Sequence, residues 1–159
     1  MMFSTPDLYD DNREAVQVAE AGLIHFGAKT VFHGQAATVY CPNDNSQVAE
    51  IVKTAGENRI LVVAAGGCKD FAFVGDQIAE NAIKNDWVGI IVDGCVRDIE
   101  ILATMPIGIM AIGSTPKSTL KRNQGAKQLN IQWRGLIVGP GDYLYADLNG
   151  VLLSTQPLL

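Results

Sequence analysis

RILVVAAGGCKDFAFVGDQIAENAIKNDWVGIIVDG, Arg59 to Gly94, runs from one apolar stretch through a glycine-bounded loop and an amphipathic stretch into another. The apolar stretches 59–65 and 88–92 have the unbroken hydrophobicity of strands buried on both faces of a sheet. Between them Ile78, Ala79, Ala82 and Ile83 recur at helical spacing, which predicts a helix with that face inward. RDIEILATM (97–105) predicts a short helix stopped by Pro106, and IGIMAIG (107–113) a third strand. The order β-α-β-α-β from Arg59 to Gly113 implies parallel strands with right-handed crossovers.

Upstream, STPDLYDD (4–11) has the marks of a helix start: Ser4 or Thr5 as N-cap, Pro6 at the first position, Asp7 in the first turn. VFHGQAATVYC (31–41) predicts a strand with a bend or bulge at Gly34. NSQVAEIVKTAGE (45–57) predicts a helix capped by Ser46, with Val48, Ile51 and Val52 on one face and Gly56 as terminator. Downstream, 114–130 is polar and basic and predicts a loop with an edge strand. Residues 131–154 predict strands and hairpins turning at Gly139-Pro140-Gly141-Asp142 and Asn149-Gly150. The expectation is one α/β domain over residues 1–159, a parallel core with an added β-rich layer.

Composition narrows the function. With 48% hydrophobic residues the 159-residue chain can bury a substantial core. A net charge of −5 argues against broad binding to nucleic acid or an anionic membrane, which needs a positive surface. A small anion met by one local cation stays open. Cys41, Cys68 and Cys95 are odd in number and form no CxxC pair, which argues for small buried thiols and a reducing cytosol. The N-terminus lacks the basic and apolar regions of a signal peptide, and no apolar run reaches the ~20 residues that span a bilayer.

In open α/β sheets, ligands sit beyond the carboxyl ends of the strands. One such end leads through Gly66-Gly67 to Gly75-Asp76-Gln77-Ile78, a helix start whose free amides suit a carboxylate. Another leads to Gly94 and Arg97-Asp98, a permanent cation beside an oxygen ligand for a hard divalent ion, Mg²⁺ or Mn²⁺. His25 and His33 stand apart without zinc spacing. The bland alternatives are that Asp76 is only an N-cap and Arg97-Asp98 only a surface ion pair. Lys117, Lys121, Arg122 and Lys127 read as a solvated loop.

GDQIAENAIKNDWVGIIVDGCVRD (75–98) resembles the RraA-like family, which includes the regulator of ribonuclease activity A and aldolases of 4-hydroxy-4-methyl-2-oxoglutarate that also decarboxylate oxaloacetate. The family's enzymes place twenty residues between an Asp and an Arg-Asp pair; here 77–96 separate Asp76 from Arg97-Asp98. FHGQAATV (32–39) and GPGDYLYADLNGVLLS (139–154) resemble further family segments. The resemblance implies a β/β/α swivelling-type fold, a homotrimer or dimer of trimers, and a metal-dependent class II pyruvate aldolase. It implies substrate binding by Gly75, Asp76, Gln77 and Ile78, largely through amides, with Arg97 on the keto oxygen and Asp98 on the metal. Asp76 is carried into the catalytic set as the neighbour of a proton-handling water.

The general base is not legible in the sequence, and Lys69 and Lys84 read as solvated rather than as Schiff-base formers. Longer family aldolases have a C-terminal extension that brings an acidic group to a neighbour's site. The sequence ends at Leu159, so oxaloacetate decarboxylation is the safer expectation. The rivals are a protein inhibitor of an RNase E-type endonuclease and a methyltransferase using S-adenosylmethionine, for which Gly66-Gly67 is a thin glycine turn.

Overall fold

The computed structural model describes residues 2–159. The chain opens with α1 (Thr5–Asp11), β1 (Val16–Val18), β2 (Ile24–His25), β3 (Phe32–Tyr40), α2 (Ser46–Ile51), β4 (Ile60–Ala64) and β5 (Ala72–Val74). It continues with α3 (Asp76–Lys84), β6 (Gly89–Val92), β7 (Cys95–Val96), α4 (Ile99–Leu102), β8 (Gly108–Ala111) and β9 (Gly113–Ser114). It closes with β10 (Ala126–Lys127), β11 (Ile131–Trp133), β12 (Leu136–Val138), β13 (Tyr143–Asp147) and β14 (Gly150–Ser154).

The main sheet has the order β1-β14-β13-β3-β4-β6-β8-β2, with β10 also paired to β3. β4, β6 and β8 are parallel neighbours, as the alternation from Arg59 to Gly113 predicts. β3 joins the two halves: Phe32–Gln35 pair antiparallel with β13, and Ala36–Tyr40 pair parallel with β4. The result is a mixed sheet, parallel in the middle and antiparallel at both ends.

Side chains alternate across this sheet, so each strand feeds two cores. Leu61, Val63, Ile90, Val92 and Ile109 pack under the helices with Val48, Ala79, Ala82 and Leu102. Ile60, Val62, Ile91 and Met110 pack on the other face with Trp133, Val138, Leu144 and Val151. Each fully buried Leu, Ile or Val of this kind contributes about 1.5–3 kcal/mol relative to exposure. Phe32 crosses β6 and β8 where Gly89 and Gly108 pair, and a Cβ on either glycine would collide with its ring.

Several local expectations change in the tertiary context. Gly34 is no bulge: it pairs in register with Leu144, and its missing Cβ admits the Asn58 carbonyl, which would lie 2.6 Å away. Ser46 does not cap α2; Asn45 holds that position, and the Asp44 carboxylate accepts from the Ser46 amide at 2.8 Å. α2 ends at Ile51, short of Gly56, whose role is close approach to the Asp86–Trp87 backbone. At α1, Ser4 is the cap, its Oγ accepting from the Asp7 amide at 3.2 Å.

The loop expected over 66–75 contains β5, and DGCVRD contains β7. With β9 they form a three-stranded parallel sheet, β5-β7-β9, that continues from the ends of β4, β6 and β8. These strands are too short, two or three residues each, for any period to show in the sequence.

Candidate functional site

The small sheet positions the site. β5 delivers Gly75-Asp76, β7 delivers Arg97-Asp98, and β9 delivers Thr115-Pro116. The apolar runs predict these residues at the ends of the main strands; the structure inserts this extra sheet between. Arg97 is tied to β5 by its amide, which donates to the Val74 carbonyl at 3.0 Å. Its guanidinium Nη1 donates to the Pro116 carbonyl at 3.4 Å.

Asp98 adopts the left-handed region at φ 61°, uncommon for a residue with a side chain. Its Oδ2 accepts from the Asp76 amide at 3.0 Å. A Cβ on Gly75 would lie 2.7 Å from that same oxygen, so any side chain there would displace the Asp98 carboxylate. Gly75 is the N-cap of α3, so Asp76 is its first residue and not its cap. The first amides of a helix have no intrahelical acceptor. Asp98 takes that of Asp76, leaving those of Gln77 and Ile78.

Arg97 and Asp98 form a wall shared by two cavities. One, of about 360 Å³, is lined by Gly75, Asp76, Gln77 and Ile78, with Asn45, Ser118 and Lys121 facing them. The other, of about 400 Å³, lies on the side of Ile99, Glu100 and Ser114–Pro116. Both are within the size range of small-molecule sites. The structure thus brings together all six residues singled out from the sequence.

It also adds residues that the sequence did not reveal. Lys121, expected in a solvated loop, lines the cavity, and so does Asn45. The segment carrying Lys121 is pinned on both sides. Asn45 and Thr119 are buried and bond to each other, with the Thr119 hydroxyl donating to Asn45 Oδ1 at 2.8 Å. The Asp44 carboxylate accepts from the amides of Arg122 at 2.7 Å and Gln124 at 3.2 Å. Burial alone would raise the pKa of Asp44, but the Ser46 hydroxyl and amide and those two amides outweigh it and hold it down to about 2. No periodic signal marks this segment, because its order comes from side-chain-to-backbone bonds across more than seventy residues.

The Gly66-Gly67 turn, the thin glycine turn of the methyltransferase reading, faces a carboxylate of the protein itself. The buried Asp93 carboxylate accepts from the Ala65 amide, and the amides of Gly67 and Gly66 turn toward it as well. Burial raises its pKa, and those bonds only partly offset the shift. Lys127 pairs with Glu50, and Lys117 lies over the Phe71 ring at 5.0 Å.

The donor set fits a hard, water-rich cation. Among the described residues no three His, Cys, Asp or Glu side chains gather as a metal cage. Asp98 and Asp76 are the two carboxylates that line the polar cavity. Mg²⁺ and Mn²⁺ accept that arrangement because they retain several waters; a caged Zn²⁺ does not.

A family model described as Aldolase/RraA matches residues 5–153. The chain belongs to the RraA-like family. A Xanthomonas campestris pv. campestris relative, provisionally named 4-hydroxy-4-methyl-2-oxoglutarate aldolase, is 44% identical over 158 residues, covering 99% of this chain and 95% of its own. Among solved structures, an S-adenosylmethionine: 2-dimethylmenaquinone methyltransferase of Geobacillus kaustophilus matches with TM-score 0.95 and 36% identity, covering 98% of this chain and 97% of its own. The RNA-processing inhibitor RraA of a Thermus species matches with TM-score 0.94 and 33% identity, covering 99% and 95%. One RraA-like fold thus carries three different names, and function has to be argued from the site.

Proposed function

We propose that this RraA-like protein is a divalent-metal-dependent class II pyruvate aldolase. It cleaves 4-hydroxy-4-methyl-2-oxoglutarate to pyruvate and decarboxylates oxaloacetate, both through a pyruvate enolate. The observation that carries the reading is Arg97 and Asp98 on one wall of the cavity that the start of α3 and Lys121 also line.

Asp98 would hold Mg²⁺ or Mn²⁺, which when bound supplies Lewis acidity toward the 2-keto acid end of the substrate. Arg97 stays charged at every working pH and stands beside the oxygen that gains charge as the carbon–carbon bond breaks. At ~4 Å and an effective dielectric of ~20, such a pair interacts by about 4 kcal/mol before desolvation. The amides of Gln77 and Ile78 suit the substrate carboxylate, as a helix N-terminus does in general. Lys121 adds a second cation for a dicarboxylic substrate. Asp76 is placed to orient a water that moves the proton.

The aldolase name of the Xanthomonas relative supports this reading. The homotrimer implied by the family resemblance would give exposed Ile99, Ile101 and Leu120 a neighbouring copy to cover them. The rival reading, an inhibitor of a ribonuclease, draws on the name of the Thermus relative. A methyltransferase is disfavoured because the Gly66-Gly67 amides are turned onto Asp93.

The test is pyruvate release from oxaloacetate with Mg²⁺ or Mn²⁺. Activity above that of the free ion, abolished by EDTA and by Asp98→Ala, supports the enzyme. A rate equal to the free-ion background sinks it and moves the inhibitor reading ahead.

A further inference from the structure

A larger cavity, about 530 Å³, opens at the opposite end of the parallel strands. Arg59 and Val88, which line it, immediately precede β4 and β6, whereas the Arg97–Asp98 site lies beyond the other ends of those strands. Two cations, Lys29 and Arg59, line it with one carboxylate, Glu57, and with the His33 imidazole. In a chain of net charge −5 this is a local excess of cations. Neither Lys29 nor Arg59 is in an ion pair among the described residues.

Arg59 is set rather than loose. Arg59 Nε donates to the Gly56 carbonyl and Nη2 to the Ala55 carbonyl, both at 2.9 Å, and its guanidinium lies 4.9 Å from the Trp87 ring centroid. His33 stacks on Tyr145 at 5.7 Å and 11°, with Phe3 edge-on to both rings. Burial first, and then positive charge including that of Lys29, lowers the His33 pKa. Glu57 and Asn58 hold left-handed conformations at φ 55° and 60°, and Gly34 lets that turn close onto β3 as one wall.

We propose that this cavity is a second ligand site, separate from the Arg97–Asp98 site, that binds a small organic anion carrying a flat ring. Lys29 and the fixed Arg59 meet the anionic group. Phe3, His33 and Tyr143 supply flat apolar surface for the ring. Gln35 and Asn58 offer amides for orientation.

The test uses the full chain with isotopically labelled histidine, titrated with benzoate and followed at the His33 imidazole. With two histidines in the chain, His33→Gln in a control sample assigns the signal. The charged and titratable groups around His33 are Lys29, Glu57, Arg59 and Tyr143, which line the cavity with it, Tyr145, on which it stacks, and the chain's N-terminal amine. A bound anion should raise the His33 pKa. Binding should weaken roughly tenfold in Lys29→Ala, a loss of about 1.4 kcal/mol, and persist in Arg97→Ala. Benzoate should bind more tightly than cyclohexanecarboxylate, which lacks the flat ring, and than inorganic phosphate, which lacks any ring. The proposal is overturned if His33 shows no saturable response, if Lys29→Ala leaves the response unchanged, or if Arg97→Ala abolishes it. Equal binding of benzoate and cyclohexanecarboxylate overturns the flat-ring requirement.

Discussion

At Asp98 a left-handed backbone, a shared amide and a neighbouring glycine meet on one carboxylate. Such conformations persist where the surroundings over-determine them. Gly75→Ala should therefore push Asp98 off its position. Mn²⁺ affinity, read by electron paramagnetic resonance, should fall about tenfold or more, as is usual when a ligand's support is lost. Arg97→Ala should lower kcat roughly 10²–10³-fold, the usual loss for an oxyanion stabiliser, with the melting temperature little changed because the side chain is exposed. Asp44 is the residue with a pH signature. Its folded pKa, about 2, lies below its ordinary 3.8. Its contribution to stability is full above pH 3.8 and is lost as pH falls toward 2. In Asp44→Asn the acid-unfolding curve should lose that component.

Among the elements, the glycine pair on β6 and β8 matters most for packing. Gly89 and Gly108 face each other under the Phe32 ring, and Phe32 is 3% exposed. Gly108→Ala should cost about 1–3 kcal/mol by overpacking, measurable by urea unfolding. If it is tolerated without loss, Phe32 is not wedged as described. The same elements show how far local patterns reach. The buried strands β4, β6 and β8 are legible as unbroken apolar runs of four residues or more, and α3 by its helical period. β5, β7 and β9 are not, because two or three residues carry no period. They exist because they extend the ends of longer strands, and they are what bring Gly75, Arg97 and Pro116 together.

At the scale of the whole molecule, exposed Ile99 and Ile101 on α4 lie beside the site. In a trimer that buries this face, Ile101→Asp should shift the protein toward monomer in sedimentation velocity and lower activity with it. A monomeric wild type would remove this part of the reading.

The sequence by itself determined the parallel core, the hairpin turning at Asn149-Gly150, and the spacing that unites Asp76 with Arg97-Asp98. Those features rest on local periodicity and on motif residues that stay the same wherever the chain folds. The turn expected to close a hairpin at Gly139–Asp142 instead joins β12 to β13, which do not pair, while β12 pairs back on β11. Only the tertiary structure decided that Gly66 and Gly67 serve Asp93, that Lys121 joins the site, and that cations gather around His33 at the far end. Each of these depends on groups distant in sequence meeting across a shared surface. The energy of such meetings comes from burial and from bonds between distant segments, so no local pattern records it.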